Sequence, residues 1–384
     1  MTDTDVMTRE RPTPRLPWGL VGAVLAALAV ESAIGRRELE LARPELYDWR
    51  LARQAAQPGG PALRADVLGF GTSMTQLALL PQVIERRTGR PAYNLAVCAG
   101  RAHFAYFYLR NALAAGATPS AVLLDVHPMF IAGRYQDNPT GWTDALSTFD
   151  LFEMALDRRD PAFFHRYALP KVLPSLAFRY TLRDRITAAV VGDPVVPADE
   201  ARFENLQHIR NVTRNLGSFV TGHNAAYHGE IDKYRDLWLG DPPTPLCDPV
   251  EELYLRRFLS LAQSHGMAVY WLITPVVPEL RRERLALGRD AAYDAFTRRI
   301  LADYPGVTVV DGRDSGFPAD VFLDACHLDP KGARAFSQGV SEVLTRADKP
   351  RRVALPGYQE PPSDVPIETI TESAAVVRDQ QTRR

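Results

Sequence analysis

Two short blocks far apart in the chain hold residues of the types that acyl-transfer chemistry uses. The first is Gly69-Phe70-Gly71-Thr72-Ser73-Met74, directly after a strand-like run. The second is Phe322-Leu323-Asp324-Ala325-Cys326-His327-Leu328-Asp329-Pro330, directly before a helical one. Glycines in the first block permit a sharp turn. Ser73 then sits at the mouth of a sheet and the lip of a helix, where its backbone N–H also faces an anion. In the second block an Asp three residues ahead of a His can accept a hydrogen bond from imidazole Nδ1, which leaves Nε2 to take a proton from a serine. On these spacings Ser73 attacks, His327 is the base and Asp324 orients it. Read singly, the blocks fit a plain turn and a helix-capping loop equally well; the pairing is what points to a nucleophile relay. A phosphate-binding loop is a poorer reading, because neither the Walker A pattern nor GxGxxG is completed.

The elements that must unite these blocks follow from the hydrophobic pattern. ADVLGFG, PAYNLAV, SAVLLDV, MAVYWLITP and VTVVDG read as buried strands. PQVIERRTGR, AHFAYFYLRNALAAG, EELYLRRFLSLAQSHG, AAYDAFTRRILADYPG and PKGARAFSQGVSEVLTRA read as helices. The order βαβαβ, an interruption, then αβαβα predicts an α/β fold: a parallel, doubly wound sheet with helices on both faces and its reactive groups past the carboxyl ends of the strands. The interruption, about 132–249, is rich in Trp, Phe, Tyr and Pro and reads as a helical insertion. It either caps the strand ends as a substrate wall or packs on the flank. The folded domain is expected at 66–346. A Gly/Pro/Ala-bearing linker at 36–65 precedes it, and a disordered tail at 347–384 follows, where Pro and charged residues dominate.

Residues 1–35 differ from the body. A polar leader carrying Arg9, Arg11 and Arg15 runs into LPWGLVGAVLAALAVESAI and then Arg36-Arg37. The apolar stretch is near the short limit of a bilayer span. A single-pass anchor is the leading reading, with a cleaved signal peptide (Ala27-Leu28-Ala29 as the small-residue site) and a buried core helix as alternatives. Arginines at both ends leave only a weak preference for an N-in orientation. The rest of the 384 residues, 46% hydrophobic and 24% charged, is globular in character. Lys+Arg 45 against Asp+Glu 46 gives a formal charge of -1, so no global basic field recommends a nucleic-acid partner. Three scattered cysteines supply neither a disulfide framework nor a CxxC zinc pair.

The Ser73 and Asp324-x-x-His327 blocks resemble those of the SGNH (GDSL-like) hydrolase and acyltransferase superfamily, over about 66–135 and 250–346. The resemblance implies a flavodoxin-like three-layer α/β/α sandwich with a parallel sheet and a Ser73, His327, Asp324 triad. It also implies an oxyanion hole from the N–H groups of Ser73 and Gly100, with His127 of Asp125-Val126-His127-Pro128 in the place usually held by an Asn. The leader together with YDWRLARQ looks like the membrane-anchored, extracytoplasmic branch, associated with acylation or deacylation of cell-envelope polysaccharides. The function expected is therefore a serine-dependent carboxylic ester hydrolase or O-acyltransferase, hydrolysis leading, on acylated glycans or small esters. No cofactor and no metal are expected. The alternative is a non-catalytic SGNH-like binding or assembly protein with a degenerate oxyanion hole.

Other candidates weigh less. Cys98 and Cys326 each lie inside a site block and could be neighbours. His223 and His228 lack a zinc spacing. Asp311, Asp314 and Asp320 form an acidic stretch that reads as solvated surface rather than a calcium loop. Arg101 could meet an anionic substrate.

Overall fold

Alternate residues of the strands enter two separate cores, and this fixes the layering. The computed structural model describes residues 18–127, 139–231, 238–239 and 247–383. Its sheet contains β1 (Val67–Phe70), β2 (Ala92–Asn94), β3 (Ala121–Asp125), β4 (Ala268–Ile273), β5 (Val307–Asp311) and β6 (Arg352–Ala354). All pairs are parallel, in the order β2-β1-β3-β4-β5-β6. Leu68, Phe70, Val122, Leu124, Val269 and Trp271 face one core. Val67, Ala121, Leu123, Tyr270 and Leu272 face the other. A period of two with both faces apolar requires helices on each side, so the chain is a three-layer α/β/α sandwich.

Before the sheet come α1 (Trp18–Arg36), α2 (Glu38–Leu41) and α3 (Glu45–Ala55). Between β1 and β3 lie α4 (Ser73–Ala78), α5 (Pro81–Thr88) and α6 (Ala102–Ala114). The insertion is mainly helical in its described residues: α7 (Pro139–Ala145), α8 (Thr148–Arg158), α9 (Pro161–Val172), α10 (Pro174–Ala177), α11 (Arg179–Val191) and α12 (Ala198–Arg214), with 215–231 irregular. It is followed by α13 (Pro249–Ser264), α14 (Pro278–Ala286), α15 (Arg289–Leu301), α16 (Pro330–Thr345) and α17 (Ile370–Thr382). Local signals set the ends that matter for the site. Helix α5 starts on Pro81 and stops at Gly89, φ 70. Helix α16 starts on Pro330, where the Asp329 carboxylate accepts from the Gly332 N–H at 2.8 Å.

Two boundaries differ from the sequence reading. Residues 36–65 are not a linker: α3 buries Leu46, Tyr47, Trp49, Ala52 and Ala55 in the first core. These apolar positions recur at helical spacing, and only the short Gly/Pro stretch after them has linker character. Residues 347–384 are not a disordered tail either. They supply β6, whose Val353 is buried, and α17. Polar contacts fasten this segment: Asn211 and Asn215 donate to the Glu368 carbonyl at 2.8 and 2.7 Å, and Arg210 meets the Glu368 carboxylate at 2.6 and 2.9 Å. A reading based on apolar content overlooks such an attachment.

Helix α1 is the one helix among the described residues long and apolar enough to cross a membrane. None of its residues is buried, which removes the core-helix alternative.

Candidate active site

The strand order reverses between β1 and β3, and in open parallel sheets that switch point opens a crevice past the strand ends. Ser73 lies there as the first residue of α4, three residues beyond the end of β1. Gly71 makes the turn possible. Its φ is 150°, and a Cβ would come within 2.7 Å of the Asp125 Cβ. Thr72 is the N-cap: its Oγ1 accepts from the Met74 N–H at 3.2 Å and donates to Asp125 Oδ2 at 2.8 Å. Asp125, the last residue of β3, thus ties the turn to the neighbouring strand. Burial pushes its pKa up to about 6 against the opposing hydrogen bonds from Thr72 and Thr75. The Ser73 N–H has no hydrogen bond among the described residues and is one of the orphan donors of a helix start.

The second block is shaped by a tight loop. Phe322 and Leu328 form an antiparallel bridge, and the Leu323 N–H donates to the His327 carbonyl at 2.8 Å. Asp324 Oδ1 accepts the N–H groups of Cys326 and His327, both at 2.9 Å. Its Oδ2 lies 2.8 Å from His327 Nδ1. Burial works against charge on this carboxylate, but the His327 imidazole and the two N–H groups outweigh it and hold the pKa near about 2. An ionised Asp324 can only accept, so Nδ1 carries the proton and Nε2 is left as an acceptor. Nε2 lies 2.8 Å from Ser73 Oγ. Ser73, His327 and Asp324 are therefore joined in one chain of hydrogen bonds.

Gly100 is not placed as the resemblance implies. Its N–H donates to the Val97 carbonyl at 2.9 Å, closing a turn in which Ala99 has φ 52°. What Gly100 provides is proximity: a Cβ there would lie 1.9 Å from the Gly71 carbonyl oxygen, so glycine lets the two loops pack. His127 is buried against Trp238, ring centroids 4.7 Å apart. It lines a cavity of only about 30 Å³ with Met74, Asp125 and Arg284, separate from the one that Ser73 lines. Burial, then Arg284 and His327, push its pKa well below the ordinary histidine value, so the ring is neutral.

Ser73 and His327 border a cavity of about 460 Å³. Its walls include Glu204, Gln207 and His208 of α12 and Phe219, all from the insertion, and two segments that sequence reasoning left out of the site, Glu45 and Asp48 of α3 and Ile370 at the start of α17. The insertion is thus a wall of the cavity. Of its aromatics Phe219 lines the cavity, whereas Trp142, Phe163 and Tyr167 pack in the first core. Asp48 and His208 form a buried pair, Oδ1 to Nε2 2.7 Å. Burial opposes a charged His208, yet the Asp48 carboxylate prevails and its pKa is raised. Gln76, one helical turn beyond Ser73, also lines the cavity. It is buried, and its Nε2 has no hydrogen-bond partner among the described residues. Only the i, i+3 spacing from Ser73 could have signalled it in sequence.

The weaker candidates sort plainly. Cys98 and Cys326 are unpaired, and burial first, with nearby carboxylates, raises both thiols above their ordinary value. Ligand atoms of Asp324, Cys326 and His327 lie within 4.8 Å of one another, but a protonated thiol is a poor metal ligand. His223 Nδ1 meets Asp329 at 2.8 Å. Asp311 pairs with Arg313 and Arg352, and Asp314 with Arg281. Arg101 is turned inward beside Glu251 and Trp142, away from any anionic substrate. No protein-family model matches this chain, and no curated protein does either.

Proposed function

We propose that the chain is a serine-dependent carboxylic-ester hydrolase or O-acyltransferase working through an acyl-enzyme. The observation that carries the reading is the unbroken series Ser73 Oγ, His327 Nε2, His327 Nδ1, Asp324 Oδ2, each link 2.8 Å. Ser73 Oγ bonds to the acyl carbonyl carbon while Nε2 takes its proton. The tetrahedral adduct then expels the alcohol, which receives that proton from His327. Attack by water completes an esterase cycle, and attack by a sugar hydroxyl completes a transferase cycle. The Ser73 N–H is the donor at hand for the developing oxyanion. An ester of a glycan or another polyhydroxy alcohol suits the cavity, since Gln76, Gln207, Asp48, Glu45 and Glu204 offer hydrogen bonds around one aromatic face, Phe219.

The same reading places the protein at a membrane, with its catalytic domain outside the cytoplasm. Glu31 of α1 accepts from the Ser175 N–H at 2.8 Å and from the Ser175 hydroxyl. A leader tied to the folded body by buried-edge hydrogen bonds favours a retained anchor over a cleaved signal. The outward orientation rests on the resemblance alone.

Labelling with a fluorophosphonate probe tests the proposal. The parent should be labelled and Ser73→Ala should not. A screen of p-nitrophenyl esters, with and without oligosaccharide acceptors, then separates hydrolysis from transfer. A second reading, a binding or assembly protein on the same scaffold, is favoured by one observation: the Gly100 N–H is already spent on Val97. Loss of one oxyanion donor lowers rates by about 10²- to 10³-fold. Absence of labelling in both proteins would select this reading.

A further inference from the structure

Beside the docked end of α1 the insertion exposes apolar side chains that a water-facing surface does not normally collect. Leu169 and Val172 of α9, and Tyr180, Ile186, Val190 and Val191 of α11, are all exposed, Val190 to 81% and Val172 to 75%. No residue of α11 is fully buried; Leu182 packs against the first core, while Tyr180, Ile186, Val190 and Val191 meet no core among the described residues. Exposed apolar surface of this extent marks an interaction site.

The position of α1 identifies the partner. Between Arg15 and Glu31 the apolar stretch is 15 residues, only about 22 Å as a helix, short of the roughly 30 Å hydrocarbon core. Beyond Val30 it is already in contact with the body: Glu31 holds Ser175, and Gly35 lies against Pro174, where an added Cβ would be 3.4 Å from the proline ring. An anchor that spans a bilayer therefore brings α10 down to the lipid boundary, and α10 joins the end of α9 to the start of α11. The flanking chemistry fits that depth. Tyr180 is bracketed by the guanidinium groups of Arg179 and Arg183, 4.6 and 5.4 Å from its ring centre, a Tyr/Arg arrangement suited to headgroup phosphates.

We infer that the exposed apolar rim of α9 and α11 is a second membrane-contacting surface, seated in the interface of the bilayer that α1 enters. The domain is then fixed in orientation rather than swinging on a tether. This rests on the membrane reading of α1 given above, and the test separates the two. Full-length protein is reconstituted into vesicles of phosphatidylcholine and phosphatidylglycerol. It carries a nitroxide at one introduced cysteine, Leu25→Cys, Val172→Cys, Val190→Cys or Leu287→Cys, with the signal of labelled parent subtracted. Position 25 reports α1, and position 287, on the exposed link between α14 and α15, reports water. Labels at 172 and 190 should collide with lipid-dissolved oxygen, relative to an aqueous nickel chelate, several-fold more than the label at 287. Water-like values at 172 and 190 with a lipid-like value at 25 would overturn the inference and leave the anchor standing. Water-like values at 25 as well would overturn both. Shielding from both reagents, with dipolar broadening, would mean that a second copy covers the surface, and would also overturn it.

Discussion

The Ser73 hydroxyl and the His327 ring meet at 2.8 Å although 254 positions separate them in the chain. Neither residue is held by the other alone. Ser73 is fixed by the Thr72 cap on Asp125, and His327 by the Asp324 carboxylate and its own backbone N–H. Positioning from both sides makes the pair behave as a unit, and the following outcomes depend on it.

If the three residues act together, Ser73→Ala and His327→Ala should each lower kcat on an activated ester by on the order of 10³-fold or more. The double variant should be little worse than either single one. Additive losses, or a Ser73→Ala protein that retains the parent rate, would count against a relay.

Gly100→Ala should damage stability and activity together. The new methyl would press on the Gly71 carbonyl from 1.9 Å, backbone against backbone, so the turn bearing Ser73 must move. A loss of about 3 kcal/mol in chemical denaturation is expected. Unchanged stability would mean that the two loops are not packed as described.

Gln76→Leu separates a ligand contact from a structural one. The amide Nε2 has no partner to lose among the described residues, so the melting temperature should hold or rise. A substrate that bonds this amide should show KM raised about tenfold, the worth of one hydrogen bond. A KM equal to that of the parent removes Gln76 from substrate binding.

Asp125 should make the fold more stable in mild acid than at neutrality. Its folded pKa is near 6 against an ordinary 3.8, so between these values the folded state binds more protons than the unfolded one. Stability attributable to this residue therefore falls as pH rises through that window, by on the order of 2 to 3 kcal/mol in total. Asp125→Asn keeps an oxygen for Thr72 and abolishes the titration. Denaturation midpoints measured from about pH 4 to 7 should lose that component in the variant, and identical profiles would contradict it.

Five strands and five of the helices packed on them could be read from hydrophobic period alone, because burial on two faces writes itself as continuous apolar runs, whereas the largely charged α14 was not. Ser73, Asp324 and His327 were legible for a related reason: each lies immediately beside such an element. The cavity walls were not. Asp48 and His208 satisfy one another across distant helices, and no local spacing signals such a pair. Residues 347–383 misled for the opposite reason, since a segment held by a short edge strand, a few isolated valines and polar contacts from Asn211, Asn215, Arg210 and Arg334 has the composition of a solvated tail. Gly100 was expected as an oxyanion donor; in the structure its N–H donates to the Val97 carbonyl, and its lack of a Cβ lets it lie against Gly71.

Ile370, at the start of the final helix, borders the same space as Glu45 near the beginning and Gln207 in the middle. Three widely spaced portions of the polypeptide thus line one volume. The side formed by Ile370 depends on α17 packing on α12, so a variant cut after α16 would present Ser73 with one wall of the cavity missing.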